Sequence, residues 1–263
     1  MTGVLAENQN YLQKADKTMA PLTEKVAIVT GSSSGIGCAI AERLAKDGAS
    51  VVVNYAHSAD KAQEVVSNIF AEGGKALTVQ ADMSKVADIR HLFQETVDHF
   101  GYLDILVNNA GTSAFKPIAE ASEDDFDTQF ALNAKGTFFA MQEAARRMSI
   151  GGRIVNISTL GTVKSDPGAG IYTGSKAAVE QFTTATAQEL GERGITINTV
   201  SPGATNTELF NNVAPPGVKD QAAQLSPLGR LGQPRDIADV VAFLVSEQAR
   251  WITGQNIHAS GGA

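Results

Sequence analysis

"TGSSSGIG", residues 30–37, admits two readings that lead to different proteins. Gly31-x-Ser33-x-Gly35 has the spacing of a nucleophile elbow, where a tight turn presents a serine for acyl chemistry. Gly31, Gly35 and Gly37 read instead as a glycine-rich turn whose backbone lies against a dinucleotide pyrophosphate. Both readings place the stretch between a strand and a helix, so the surrounding chain has to decide.

Short apolar, β-branched runs recur along the 263 residues with amphipathic stretches between them, which predicts parallel strands joined by crossover helices. Strands are expected at 25–30, 50–55, 76–81, 103–109, 152–158, 195–201 and 255–259, most of them apolar throughout, as suits a sheet covered on both faces. One domain is expected over 22–263, preceded by a polar arm over 1–21. Residues 203–234 are proline-rich and show no strand pattern, so a substrate loop is placed at about 204–228.

A net charge of −7 with scattered cations disfavours nucleic acid as a partner. The single cysteine excludes an internal disulfide, and no Cys/His spacing suggests a metal site. No apolar run is long enough to span a membrane, and the first 20 residues are too polar for a secretion signal; a cytoplasmic location is expected.

The elbow reading needs a general-base histidine and an oxyanion donor loop. His91 and His99 fall on a polar stretch; His258 is in formal order, but Ser33 would follow the first strand and no HGGG-type segment precedes it. The dinucleotide reading uses more residues. Gly31 allows the turn, Gly35 lets the backbone approach the pyrophosphate, and Gly37 permits close packing of a helix starting near Ile36. Ser32, Ser33 and Ser34 then become hydrogen-bond donors at a helix N-terminus.

With this loop, Asn108-Asn109-Ala110-Gly111, Asn133, Ser158, Tyr172-x-x-x-Lys176, Pro202-Gly203 and "ITGQNIHASGG", the chain resembles the short-chain dehydrogenase/reductase family over residues 22–262. The resemblance implies a Rossmann-like, doubly wound, seven-stranded parallel sheet and hydride transfer between a nicotinamide and a carbonyl or secondary alcohol. Tyr172 and Lys176, four apart on a helix, share one face. The family roles make Tyr172 the general acid, Lys176 the group that holds the nicotinamide ribose, Ser158 a donor to the carbonyl oxygen, and Asn133 the anchor of a proton-relay water. Many members have the hydroxyl thirteen residues before the tyrosine, which selects Thr159. Ser158, fourteen before, is taken because Gly161 follows it as in Ser-x-x-Gly.

The end of the second strand carries Asn54 and Tyr55, with no carboxylate to repel a 2′-phosphate, and His57, Ser58 and Ser33 are expected nearby. NADP(H) is therefore the preferred cofactor and NAD(H) the alternative, since Ser34 stands where many NADP-using members have Arg or Lys. Asp82-Met83 resembles the adenine contact, while Asn109, Ala110 and Gly111 line the cofactor. Pro202, Gly203, Thr205 and Thr207 fall where the family contacts the carboxamide. Phe115, Leu209, Phe210 and Val213 are candidates for the substrate wall. The family suggests a homotetramer or homodimer. The alternative functions are an NAD-dependent alcohol or sugar dehydrogenase and a non-catalytic nucleotide-binding module.

Overall fold

The computed structural model of the chain describes residues 20–213 and 217–263. Nearly all of the expected N-terminal arm, and part of the substrate loop, lie outside the described residues. Seven parallel strands form one sheet in the order β3-β2-β1-β4-β5-β6-β7: β1 (Val26–Val29), β2 (Ser50–Tyr55), β3 (Lys75–Gln80), β4 (Ile105–Asn108), β5 (Arg153–Ile157), β6 (Thr196–Pro202) and β7 (Asn256–Ala259).

Successive strand residues feed two different cores, because side chains alternate across a sheet. Ala27, Val29, Val51, Val53, Ile105, Val107 and Val155 point into one cluster, completed by α1 (Gly35–Lys46), α2 (Ala59–Ala71) and α9 (Pro234–Val245). Ile28, Val52, Leu106 and Ile154 point into the other. That cluster is closed by α3 (Val86–Phe100), α5 (Thr137–Arg147) and α6 (Gly170–Leu190). The uninterrupted apolar strands thus reflect burial on both faces.

β1 lies between β2 and β4, so the chain turns away in opposite directions from the ends of β1 and β4 and opens a crevice at the C-terminal edge of the sheet. After β4, α4 (Glu123–Phe130) runs into α5 through a π-helical turn at Ala131–Gly136. After β6, the expected loop contains two short helices, α7 (Glu208–Val213) and α8 (Val218–Leu225). No helix among the described residues is long and apolar enough to cross a membrane.

Candidate active site

The glycine-rich turn has the backbone its sequence requires. Gly31 and Gly35 take positive φ values of 61° and 58°, a region that side chains disfavour. Gly37 has helical geometry but no space: a Cβ there would lie 2.5 Å from both Asn109 Nδ2 and the Gly31 carbonyl oxygen. Thr30 Oγ1 accepts from the amides of Asn109 (2.9 Å) and Ala110 (3.0 Å), and Asn109 Nδ2 donates to the carbonyls of Thr30 (2.9 Å) and Gly31 (3.1 Å). The ends of β1 and β4 are therefore tied into one unit. Ser34, the N-cap of α1, makes no side-chain cap bond, leaving its hydroxyl at the positive end of the helix.

Two expectations about this loop need correction. Ser32 is fully buried, donating to the Val29 carbonyl (2.7 Å) and accepting from the Asn54 amide (3.1 Å), so it supports the turn from inside. Asn54 is also buried: its Oδ1 accepts from Gly31 N–H (3.0 Å), and its Nδ2 donates to the carbonyls of Val79 (3.3 Å) and Ala81 (3.0 Å). Its amide is spent bracing the loop, leaving half-buried Tyr55 and exposed His57 and Ser58 as the open groups at this end of β2.

Asp82 accepts from Ser84 N–H (3.0 Å) and Ser84 Oγ (2.7 Å) and pairs with Lys85 (3.3 Å). Burial works against its charge, but these bonds hold the carboxyl below its ordinary range. The Met83 side chain packs into the second core.

On α6, Lys176 Nζ is buried and donates to the Ile157 carbonyl at 2.8 Å. Burial pushes its pKa down to about 8. Burial pushes the Tyr172 phenol upward, opposed by a hydrogen bond with Thr159. Asn133, held inside by the π-helical turn, accepts from Thr112 N–H (2.9 Å) and donates to the Thr112 carbonyl (2.9 Å) and Ser175 Oγ (2.9 Å). Ser175 in turn donates to the Tyr172 carbonyl (2.7 Å). A Cβ on Gly111 would lie 3.1 Å from both Asn133 Oδ1 and Lys176 Nζ, so the missing side chain leaves open the space these groups face. Phe115 stands beside Tyr172, the two ring centroids 6.0 Å apart.

The two candidate hydroxyls are placed differently. Ser158 and Thr159 follow β5 in extended backbone, so they face opposite ways. Ser158 is buried and donates to Glu180 Oε1 at 2.6 Å. Thr159 is the one turned to Tyr172, and its Oγ1 accepts from Gly161 N–H (3.2 Å).

At the end of β6, Gly203 packs against Ser260, where a Cβ would approach Cα to 2.9 Å. The Thr205 hydroxyl turns back to the Gly203 carbonyl (2.9 Å), whereas Thr207 lies over Gly35, with Cγ2 3.6 Å from the position of a Cβ. Of the wall candidates, Leu209 is exposed and Phe210 half-buried, and the Val213 side chain is outside the described residues. The sequence reading missed Thr112, Ser175 and Glu180. Ser175 is adjacent to Lys176, and Glu180 repeats the four-residue spacing of Tyr172 and Lys176, but neither spacing identifies a partner.

A family model described as enoyl-(acyl carrier protein) reductase matches residues 31–263. An uncharacterized oxidoreductase of Methylorubrum extorquens is 47% identical over 93% of this chain and 99% of its own. The chain belongs to the short-chain dehydrogenase/reductase family. A hydroxynaphthalene reductase-like protein of Metarhizium majus is 43% identical over 96% of this short-chain dehydrogenase/reductase and 99% of its own length. The crystal structure of the angucycline C-6 ketoreductase LanV with bound NADP superposes with a TM-score of 0.88 at 45% identity, covering 93% of this chain and 97% of that one.

Proposed function

We propose that this oxidoreductase uses NADPH to reduce a ketone on an aromatic, largely apolar substrate, with Tyr172 as the proton donor. The observation that carries the reading is the placement of Tyr172 and Lys176 one turn apart on α6, with buried Lys176 Nζ on the Ile157 carbonyl and facing the gap left by Gly111.

The residues fit a dinucleotide. Gly31 and Gly35 have the backbone of a phosphate-binding turn, Ser34 leaves the α1 N-terminus uncapped by a side chain, and Gly111 has no side chain to fill the cradle next to Lys176. Ser33, Ser34, Ile36 and Gly37 would face the pyrophosphate, and Tyr55, His57 and Ser58 the 2′-phosphate. Asn109, Ala110, Gly111, Lys176, Pro202, Gly203 and Thr207 would follow the rest of the dinucleotide. When bound, NADPH supplies hydride to the carbonyl carbon.

The chain's own residues manage the developing oxyanion. Thr159, whose oxygen already accepts from Gly161 N–H, would turn its proton from Tyr172 to the substrate oxygen. Tyr172 donates the proton that completes the alcohol, and charged Lys176 stabilises the resulting phenolate. Asn133 keeps Thr112 and Ser175 in register with α6, and so acts through positioning. NADP bound to LanV and the hydroxynaphthalene reductase-like name of the Metarhizium relative support the cofactor and the aromatic class, and the Phe115 ring beside Tyr172 suits a flat substrate. A homodimer or homotetramer is proposed on family grounds.

The test is oxidation of NADPH and of NADH by purified protein with naphthalenone-type ketones, 3-oxoacyl thioesters, enoyl thioesters and sugars. NADPH-specific turnover of the aromatic ketones is expected. Turnover confined to NADH would overturn the cofactor assignment, and turnover confined to another substrate arm would overturn the aromatic class.

A further inference from the structure

We infer that Glu180 is a positioning residue for the reaction, a clamp that holds both ends of the segment carrying Thr159 so that its hydroxyl faces Tyr172. The inference rests on the reductase reading above. Tyr172, Lys176 and Glu180 succeed one another at four-residue spacing on α6, so all three project from one face. Half-buried Glu180 reaches the segment after β5 and strand β6. Its Oε1 accepts from Ser158 Oγ at 2.6 Å and Thr162 Oγ1 at 2.8 Å, and lies 3.4 Å from Ser201 Oγ.

Ser158 and Thr162 bracket Thr159, and Ser201 belongs to the neighbouring strand β6, where it also donates to Asn256 Oδ1 (2.7 Å). Thr162 ties the turn a second time, through its contact with the Thr159 carbonyl (3.0 Å). No cation pairs with Glu180 among the described ion pairs. Its contacts are hydroxyls, and two of them fix the segment from which Thr159 projects. Hydrogen bonds to a carboxylate are strong and directional, as a clamp requires. The same bonds explain why Ser158, so close to the acid in sequence, is unavailable to the substrate.

The experiment uses the full chain. Turnover is expressed per NADPH-binding site by fluorescence titration, and amide hydrogen exchange is followed over residues 160–164. Glu180→Ala is expected to lower kcat roughly tenfold, as a misplaced donor would. NADPH affinity should stay unchanged, and protection at Gly161 and Val163 should be lost. Glu180→Gln keeps an acceptor oxygen and is expected to restore kcat to within about threefold of wild type, on the usual ratio of charged to neutral hydrogen bonds. Thr162→Val leaves the carboxylate in place and covers the case in which Glu180→Ala fails to fold; it should lower kcat severalfold in the wild type and, in a Glu180→Ala protein that folds, have no further effect.

An unchanged kcat per site in Glu180→Ala or Thr162→Val, or a Glu180→Gln protein as impaired as Glu180→Ala, would overturn the inference. So would full protection of the turn in Glu180→Ala. Wild-type turnover that survives Tyr172→Phe would instead overturn the reductase reading, whatever Glu180 does.

Discussion

The two sides of the crevice are built differently. At the ends of β4 and β5, polar side chains are buried and partnered: Asn133 with Thr112 and Ser175, Lys176 with Ile157, and Ser158 with Glu180. Beyond β6, residues 204–232 are tied mainly at the neck, where Asn206 N–H meets the Gly232 carbonyl and Gly232 N–H meets that of Ala204. Farther out, Leu225 and Leu228 are 74% and 68% exposed, and among the described residues the side-chain contacts that hold the segment include Ser226 Oγ on the Gly261 carbonyl and the Lys61–Glu208 and Arg230–Asp236 ion pairs. Proton transfer needs fixed distances, whereas a segment that meets varied substrates gains from being loosely held.

The largest expected effect is on the fixed side. Tyr172→Phe removes only the acidic hydroxyl and should lower kcat by about 10³-fold with NADPH affinity intact. Steady-state rates and fluorescence titration on the same sample separate the two. Thr159→Val should cost about 10²-fold in kcat, as loss of one oxyanion donor does. Ser158→Ala removes one bond to the Glu180 carboxylate and should lower kcat severalfold, as Thr162→Val does. A larger loss from Ser158→Ala than from Thr159→Val would return the donor role to Ser158.

Lys176 tests the same side through stability. Its pKa of about 8 in the folded protein lies below the ordinary lysine value, so the unfolded chain binds the extra proton between about pH 8 and 10.5. Wild-type stability relative to Lys176→Met should therefore rise with pH across this window, by about 3 kcal/mol in total, and be flat below it. Urea midpoints at pH 7, 9 and 10.5 measure this, and a gap that does not change with pH would mean that Lys176 is not charged and buried together. Glycine substitutions divide the same way. Gly37→Ala forces a Cβ onto Asn109 and the Gly31 carbonyl and should cost about 3 kcal/mol and most of the NADPH affinity. Gly217→Ala, at the N-cap of α8, meets nothing within 4 Å among the described residues and has its positive φ to strain, about 1 kcal/mol. Comparable thermal shifts would mean that the two sides are equally tight.

This contrast also explains how much could be read from the sequence. The central strands were legible because a strand buried on both faces leaves a mostly apolar run, the partly exposed edge strands β3 and β7 because their short runs continue the alternation with helical stretches, and the glycine-rich turn because backbone geometry permits few substitutes. α7 and α8 were not, since six and eight residues with no buried side chain described give no apolar period to detect. Within the candidate site, Tyr172 and Lys176 were singled out by the family resemblance, since four-residue spacing alone is common on helix surfaces. Asn54 was misread because a polar residue ending a strand can face a pocket or brace a loop, and only the positions of Gly31, Val79 and Ala81 distinguish the two. Ser158 and Thr159 are both hydroxyl residues, and the alternation that separates them depends on where β5 ends, to the residue.

The smallest expected effect lies at the ion pair. Lys61, in the first turn of α2, holds Glu208, which follows the Thr207 that covers Gly35, so the pair spans from the β2–α2 side of the crevice to the loosely held segment. Both side chains are half-exposed or more, which limits the contact to about 0.5 kcal/mol, or about twofold, and makes it sensitive to salt. Glu208→Gln should raise the NADPH dissociation rate about twofold at low ionic strength and leave it unchanged at 0.5 M salt, by stopped-flow fluorescence. A tenfold or salt-independent change would mean that the segment is held as firmly as the catalytic side. The division between a fixed half that does the chemistry and a loose half that meets the substrate would then no longer hold.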